Sequence, residues 1–592
     1  MMQLTVLLAA AALQPALAAL LTDLSQLSTK EYDYVVIGAG PGGSTVASRL
    51  SEDGNKTVLL VEAGPRDDWE NIHIPFLSGT LSPSAVSWNY TTAPAASINN
   101  RSVAYPRGHT LGGSTSTNLM VWTRGSSDNY DSWANITGED AWSWNSIEPL
   151  FQQKIEALSP PADGRDTTGE ITPSVHGTNG AVGISVQAYL THTDSLVLKA
   201  AEQLGDEFPF NPDMNSGNPL GVGYSQSSVR GGQRQSAAAA YLYPAFNRSN
   251  LDILVNTRAV RLNQTGVEDG VPAFRAVQLA QSSDSEIVTV QAKLEVILSA
   301  GAVATPQLLL LSGIGDAAEL AQHGIEAIVD LPDVGKNLQD HLLLGTTWAI
   351  NASDTHDDIF RNTSLFAENL QQWRDSKTGQ FASSPAGQIA WSRLPENAAI
   401  FQSIEDPSAG PSTPHYEIIF QDQFFGPPPA IGHFLSVTAA LVTATSRGSI
   451  TLNSTDPFDS PIIDPKFLST DFDVFATREA AKAIQRFMAA DAWAGYVIGP
   501  YGDFQFSTTD DQIDAFARQT AGTVFHPVGT ASMSGWNATD GVVNPDLTVK
   551  KVKGLRIVDA SVMPTIPAAH TQAATYIVAE RGVEFIRNST SA

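Results

Sequence analysis

Residues 31–64, EYDYVVIGAGPGGSTVASRLSEDGNKTVLLVEAG, admit few folds. A β-branched run at 33–37, a glycine turn, small residues in helical pattern over about 42–52 and a second apolar run at 57–62 predict a βαβ unit. Gly38, Gly40 and Gly43 form G-x-G-x-x-G. The first glycine makes the turn, the second lets a pyrophosphate approach, and the third packs the helix on the strand with its N-terminus facing the anion. Glu62 ends the second strand 22 residues beyond Gly40, where a carboxylate accepts hydrogen bonds from a ribose 2′-OH and disfavours a 2′-phosphate. The context predicts a dinucleotide, FAD or NAD.

A chain of 592 residues exceeds one ordinary core and predicts two or more domains, or one large body with insertions, and 42% apolar residues can bury a large core. Against 61 Asp and Glu stand 34 Lys and Arg, a net charge of −27, which repels nucleic acid and anionic membranes. Without cysteine there are no disulfides and no thiolate metal sites, and no metal site is expected. Residues 1–18 read as a signal peptide, an apolar run ending in Ala16-Leu17-Ala18, shorter than the roughly 20 residues that span a bilayer. Eleven N-x-S/T sequons, at Asn55, Asn89, Asn100, Asn135, Asn247, Asn263, Asn351, Asn362, Asn453, Asn537 and Asn588, join it in predicting a secreted, extracellular glycoprotein. Oligomeric state is left open, with a monomer compatible.

Further along, AYPRGHTLGGSTSTNLMVWTRGSSDNYDSW (104–133) offers free backbone N–H groups for a diphosphate or a flavin edge. In order, GAGPGG, PRGHTLGGSTSTN, SAGAVATPQLLLLSGIG (299–315), FHPVGTASM (525–533) and VDASVMPTIPAAHTQAATYIVAERG (558–582) resemble the glucose-methanol-choline (GMC) family of FAD-dependent oxidoreductases, from about residue 32 to the C-terminus. The resemblance selects FAD over NAD. It implies an α/β fold, α+β overall: a doubly wound FAD-binding domain assembled from 30–155, 220–330 and 520–592, and a substrate domain, 156–219 and 331–519, with an antiparallel sheet flanked by helices. Locally, 251–264 and 292–302 are β-rich, 305–314 has helical character, and 432–453 alternates as a sheet of the second domain would. Besides Gly38, Gly40, Gly43 and Glu62, the implied cofactor positions are Arg107, Gly112, Gly113, Asn118, Val260, Asp559, Ala560, Thr571 and Gln572. Non-covalent FAD is expected; a covalent link through His109 is the lesser alternative.

Two histidines match the family's pair over the flavin, His526 in FHPVG and His570 in AAHTQ. Oxidising an alcohol removes a hydroxyl proton and a Cα hydride. The site therefore needs a base, His526, and a second polar group to hold the oxygen, His570, with flavin as hydride acceptor. A protonated His526 beside reduced flavin would favour O2 as electron acceptor, and a quinone is the alternative. Phe424 and Phe425, next to three prolines, and Phe525 resemble the aromatic gate of aryl-alcohol oxidases, whose substrates are benzylic and allylic primary alcohols. Where those enzymes carry a gating aromatic, this chain has Leu119. The leading expectation is a secreted aryl-alcohol oxidase releasing an aldehyde and H2O2. A sugar-oxidising dehydrogenase of pyranose or glucose type and an FAD-containing hydroxynitrile lyase are the alternatives.

Overall fold

The computed structural model describes residues 19–353, 355–424 and 426–591. The expected signal peptide and Phe425 lie outside the described residues. The βαβ unit forms as Glu31–Ile37, the helix Pro41–Leu50 and Val58–Val61. Both strands run parallel and are buried on both faces, which is why they read as apolar runs without alternation. Parallel pairing extends outward on one side to Leu251–Leu254 and Ala19–Leu21, and on the other to Val288–Leu298, which also pairs Leu555–Ile557. The hairpin Arg258–Glu268 and Val271–Ala280 adds two antiparallel strands and makes the sheet eight-stranded. The helix Gly301–Leu311 is apolar all round and correspondingly buried, and the closing helix Gln572–Ser591 packs against Pro41–Leu50.

The second sheet is antiparallel, in the order Val497–Tyr501, Leu342–Ile350, His433–Leu441, Tyr416–Gln421, Ala386–Ser392, Gly221–Tyr224, with Gly522–Thr523 paired to Leu342–Ile350. Leu342–Ile350 alternates strictly between buried and half-buried residues, the period-2 signature of a strand with two different faces. One face carries the helices His192–Gln203 and Asp471–Met488 through Val197, Ala480, Ile484 and Phe487. On the other face lies a smaller apolar cluster of Val121, Met214, Ile389, Trp391, Ile419, Ala440, Val442 and Ala568, with Leu343 and Val524 against it.

Two boundaries shift. Gly221–Tyr224 and Gly522–Thr523 fall in segments expected to be FAD-binding, yet both are strands of the substrate sheet, because their backbone hydrogen bonds go to Ala386–Ser392 and Leu342–Ile350. The alternating segment 432–453 also divides: its strand ends at Leu441, and Ser449–Thr451 pairs Ile462–Asp464 in a separate hairpin.

Candidate functional site

Glycines build the cofactor cradle from backbone alone. Gly38 has φ +97°, and a Cβ there would lie 2.4 Å from the Ser299 carbonyl oxygen; a Cβ on Gly43 would lie 1.9 Å from that of Gly38. At Gly40, by contrast, a Cβ would meet nothing within 4 Å. Gly40 is also the N-cap of Pro41–Leu50 and has no side chain to cap it, so free N–H groups face that open space. The second glycine loop closes over the first: Gly112 N donates to the Ala39 carbonyl (2.9 Å), and a Cβ on Gly113 would stand 2.7 Å from Gly40 Cα. Glu62 accepts from Ala39 N and Gly64 N (2.8 Å each), and burial pushes its carboxyl up to about 7. Each oxygen keeps a lone pair for a ribose hydroxyl. Val260 is buried three residues beyond Thr257, whose N–H donates to the Glu62 carbonyl. The residues present fit an FAD.

At the far end of the cradle, Asn118 and Gln572 tie the second loop to the closing helix. Asn118 Nδ2 donates to Gln572 Oε1 (3.1 Å), and Gln572 Nε2 donates to the carbonyls of Met120 and Val121. Thr571 sits half-buried beside it. Asp559, an expected cofactor position, is tied down through its carboxylate. Its carboxylate accepts from Ser561 N, Ser561 Oγ, Gly301 N and Thr305 Oγ1, so it pins the turn through Ala560 to the start of Gly301–Leu311. Arg107, another expected cofactor position, donates from Nη1 to the Phe525 carbonyl (2.6 Å), holding the loop that carries His526. His109 packs its ring on Trp88 at 4.1 Å.

The two expected histidines do meet, rings 4.8 Å apart and at 82°. Each has a partner that sequence reasoning missed. His526 Nδ1 lies 3.0 Å from Nδ1 of His341, which immediately precedes the strand Leu342–Ile350. His570 Nε2 lies 2.9 Å from Oε1 of Glu417, a buried carboxylate in Tyr416–Gln421, and His570 N donates to Thr123 Oγ1 (2.8 Å). Burial, helped by His570, His341 and Arg107, pushes His526 well below the ordinary histidine range, so its neutral, proton-accepting form persists below pH 6.5. One missed residue holds the backbone of the centre: Asp340 Oδ1 accepts from both His341 N and His526 N (2.8 Å each), and Oδ2 from Thr523 Oγ1 (2.6 Å). Thr523 Oγ1 in turn accepts from Phe525 N (2.6 Å), and Phe525 is held at φ +65°, a left-handed conformation costly for a bulky side chain. Such strain next to a catalytic candidate is maintained by the Asp340 and Arg107 bonds on either side.

Of the expected channel residues, Phe525 (43% exposed) and Leu119 (41%) present side chains to open space. Phe424 does not join them. It follows the strand Tyr416–Gln421, seven residues beyond Glu417, and packs edge-on to Phe434 and Tyr501 at the opposite end of the sheet.

The matches to known proteins agree with this geometry. Residues 32–343 and 444–579 match the N- and C-terminal models of the GMC oxidoreductases. The chain belongs to that family, and it is an FAD-dependent oxidoreductase acting on alcohol or sugar donors. It is 38% identical to "Dehydrogenase eriK" of Hericium erinaceus, over 97% of each chain. To "Pyranose dehydrogenase 3" of Leucoagaricus meleagris it is 37% identical, over 95% of this chain and 94% of that one. A solved fungal aryl-alcohol oxidase superposes with a TM-score of 0.82 at 26% identity, covering 95% of this chain and all (100%) of the other.

Proposed function

We propose that the protein oxidises primary aryl or allylic alcohols to aldehydes, with O2 reduced to H2O2. The observation that carries the reading is the chemistry around the two histidines. Beside them Trp391 meets His570 edge-on and exposed Phe525 adjoins His526, and the strands behind carry the apolar cluster of Ile389, Trp391 and Ile419 with Glu417 and Thr438 among them. A flat apolar ring is stabilised by contact with aromatic side chains such as Phe525 and Trp391. Within the site, His526 takes the hydroxyl proton at Nε2, the ring nitrogen that His341 leaves unengaged. Glu417 engages His570 Nε2 and so turns Nδ1 toward the substrate oxygen. Bound FAD supplies the two-electron acceptor. The cradle around Gly40, Gly112 and Gly113 holds it, with Glu62 on its ribose, non-covalently; acid precipitation then releases the flavin, and a yellow pellet would assign the link to His109 instead.

A second reading, sugar oxidation with a quinone acceptor, is favoured by the 37% identity to a pyranose dehydrogenase. The deciding experiment is anaerobic flavin reduction across a panel of benzylic, allylic and aliphatic alcohols and monosaccharides, followed by reoxidation with O2 and with a benzoquinone. Faster reduction by glucose than by every benzylic alcohol ends the first reading; no reduction by any donor would favour a lyase. We also propose secretion. Of the eleven sequon asparagines all but half-buried Asn263 are exposed, and among the described residues no helix is long and apolar enough to cross a membrane.

A further inference from the structure

Two neutral imidazoles 3.0 Å apart through Nδ1 can share only one proton, and its place decides whether His526 can be a base. If His341 donates, His526 Nδ1 is the acceptor, its Nε2 carries the other proton, and no lone pair faces a substrate hydroxyl. If His526 donates, its Nε2 is bare and the base is ready. We propose that His341 is a positioning residue that fixes His526 in the Nδ1–H tautomer and keeps Nε2 free for the substrate proton.

The geometry on either side of His341 selects the second arrangement. With Nδ1 taken by His526, the other ring nitrogen is Nε2, and the backbone group that acts on the ring is the acceptor carbonyl of Val442. A bare Nε2 beside a carbonyl sets lone pair against lone pair; an N–H there is attracted. His341 Nε2 makes no completed hydrogen bond within the described residues: no donor faces it, and the Val442 carbonyl attracts an N–H there without completing a bond. His341 is fully buried, and burial pushes it down to about 3, which keeps it a neutral acceptor through the working pH range. The relative placement of the rings is also enforced. Both backbones hang from the same oxygen of Asp340, and flanking ladder bonds join Gln339 N to the Val528 carbonyl (3.1 Å) and Val524 N to the His341 carbonyl (3.0 Å). The arrangement parallels the buried carboxylate behind the histidine of a serine-protease triad. Here, however, the acceptor is neutral. A neutral acceptor orients the base while raising its proton affinity less than a carboxylate would, which suits a group that must release its proton after each turnover. On protonation at Nε2, the imidazolium of His526 keeps its Nδ1–H bond to His341, and no proton moves beyond that pair.

The inference rests on His526 as the base, and the experiment separates the two. Holoenzymes carrying H341L, H341N, H341D and, as control, H526A are compared in anaerobic flavin reduction from pH 4.5 to 8, using the alcohol of the panel that reduces wild type fastest. The charged and titratable groups facing His526 are His341, His570 and Arg107, with Asp340 on its backbone; all but His341 are constant through the series. H341L removes the acceptor at similar volume and should lower the limiting reduction rate about 10- to 10³-fold, with flavin content and substrate Kd near wild type. H341N places an amide oxygen where Nδ1 stood and should stay within about threefold of wild type with the same acid limb. H341D adds a negative acceptor and should move the acid limb of the profile up by about one pH unit or more. An H341L enzyme as fast as wild type, an H341N enzyme as slow as H341L, or an H341D enzyme with the wild-type limb overturns the proposal. If H341L fails to fold, the H341N rate and the H341D limb still decide. Full activity in H526A would instead overturn the base assignment itself.

Discussion

Asp340 is where a single substitution separates holding the catalytic loop from the chemistry on it. Asp340→Ala removes the acceptor of the N–H groups of His341 and His526 and of the Thr523 hydroxyl, all buried, and the carboxylate neighbour of the buried Tyr105 hydroxyl. A buried donor left without a partner costs about 1–3 kcal/mol, so the gross loss is about 3–9 kcal/mol. The carboxylate is itself penalised, since burial raises it above the ordinary aspartate range, and that part is recovered on removal. We expect a net destabilisation of about 3–5 kcal/mol. Asp340→Asn behaves differently. Its amide oxygen can keep both N–H donors, and Thr523 Oγ, which already accepts from Phe525, has a second lone pair for the new NH2. Only charge assistance and one donor-acceptor reversal are lost, about 0.5–2 kcal/mol.

For function the same bonds hold Phe525 at positive φ and His526 in line with His341. Release of that strain in Asp340→Ala moves the imidazole, and a displacement of about 1 Å at a reacting group can cost about 10²-fold in rate. Thermal unfolding of the holoproteins orders the variants wild type, Asn, Ala, and stopped-flow flavin reduction in the folded fraction repeats that order. An Ala variant that melts with wild type and reduces within twofold of its rate refutes the clamp; so does an Asn variant as damaged as Ala.

Other outcomes follow from the same geometry. His526→Ala should keep its FAD and lose about 10²- to 10⁴-fold in flavin reduction, a loss of transition-state proton transfer. In wild type, because His526 lies well below 6.5, the reduction rate should stay flat from neutral pH to below 6.5 and fall only as acid finally protonates the base; a limb centred at or above 6.5 contradicts the burial. Gly40→Val should purify colourless, since its side chain enters the space left for the pyrophosphate, and wild-type flavin absorbance would count against the cradle. Phe525→Ala should weaken the preference for anisyl over aliphatic alcohols by about 0.5–1.5 kcal/mol, or roughly 2- to 12-fold in the kcat/KM ratio, and Leu119→Tyr should penalise bulky substrates more than small ones. Unchanged ratios in both variants would mean that these residues do not gate the site.

What the sequence discloses and what it hides divide along the range of the physics involved. The glycine cradle is legible because its constraints are local: Gly38 needs its positive φ and Gly43 its missing Cβ whatever the rest of the chain does. His526 and His570, 44 residues apart, are found through motifs whose resemblance carries the distance. The partners escape because no local rule names them, yet each leaves a trace. Glu417 is the one charge in YEIIFQ, and a carboxylate in an apolar strand is rarely buried unless paired. Gln339, Asp340 and His341 are three polar residues set directly before the apolar strand LLLGTTWAI, so burial of that strand drags them inward and obliges them to find partners. Phe424 fails in the opposite sense: its prolines speak of rigidity, which is local, whereas the end of the sheet it occupies follows from the register of Tyr416–Gln421 on His433–Leu441, which is not. A reader of sequence therefore does better to ask which buried polar residue lacks a partner than which exposed aromatic lies near a loop, because an unpaired buried charge costs several kcal/mol and an aromatic packs almost anywhere.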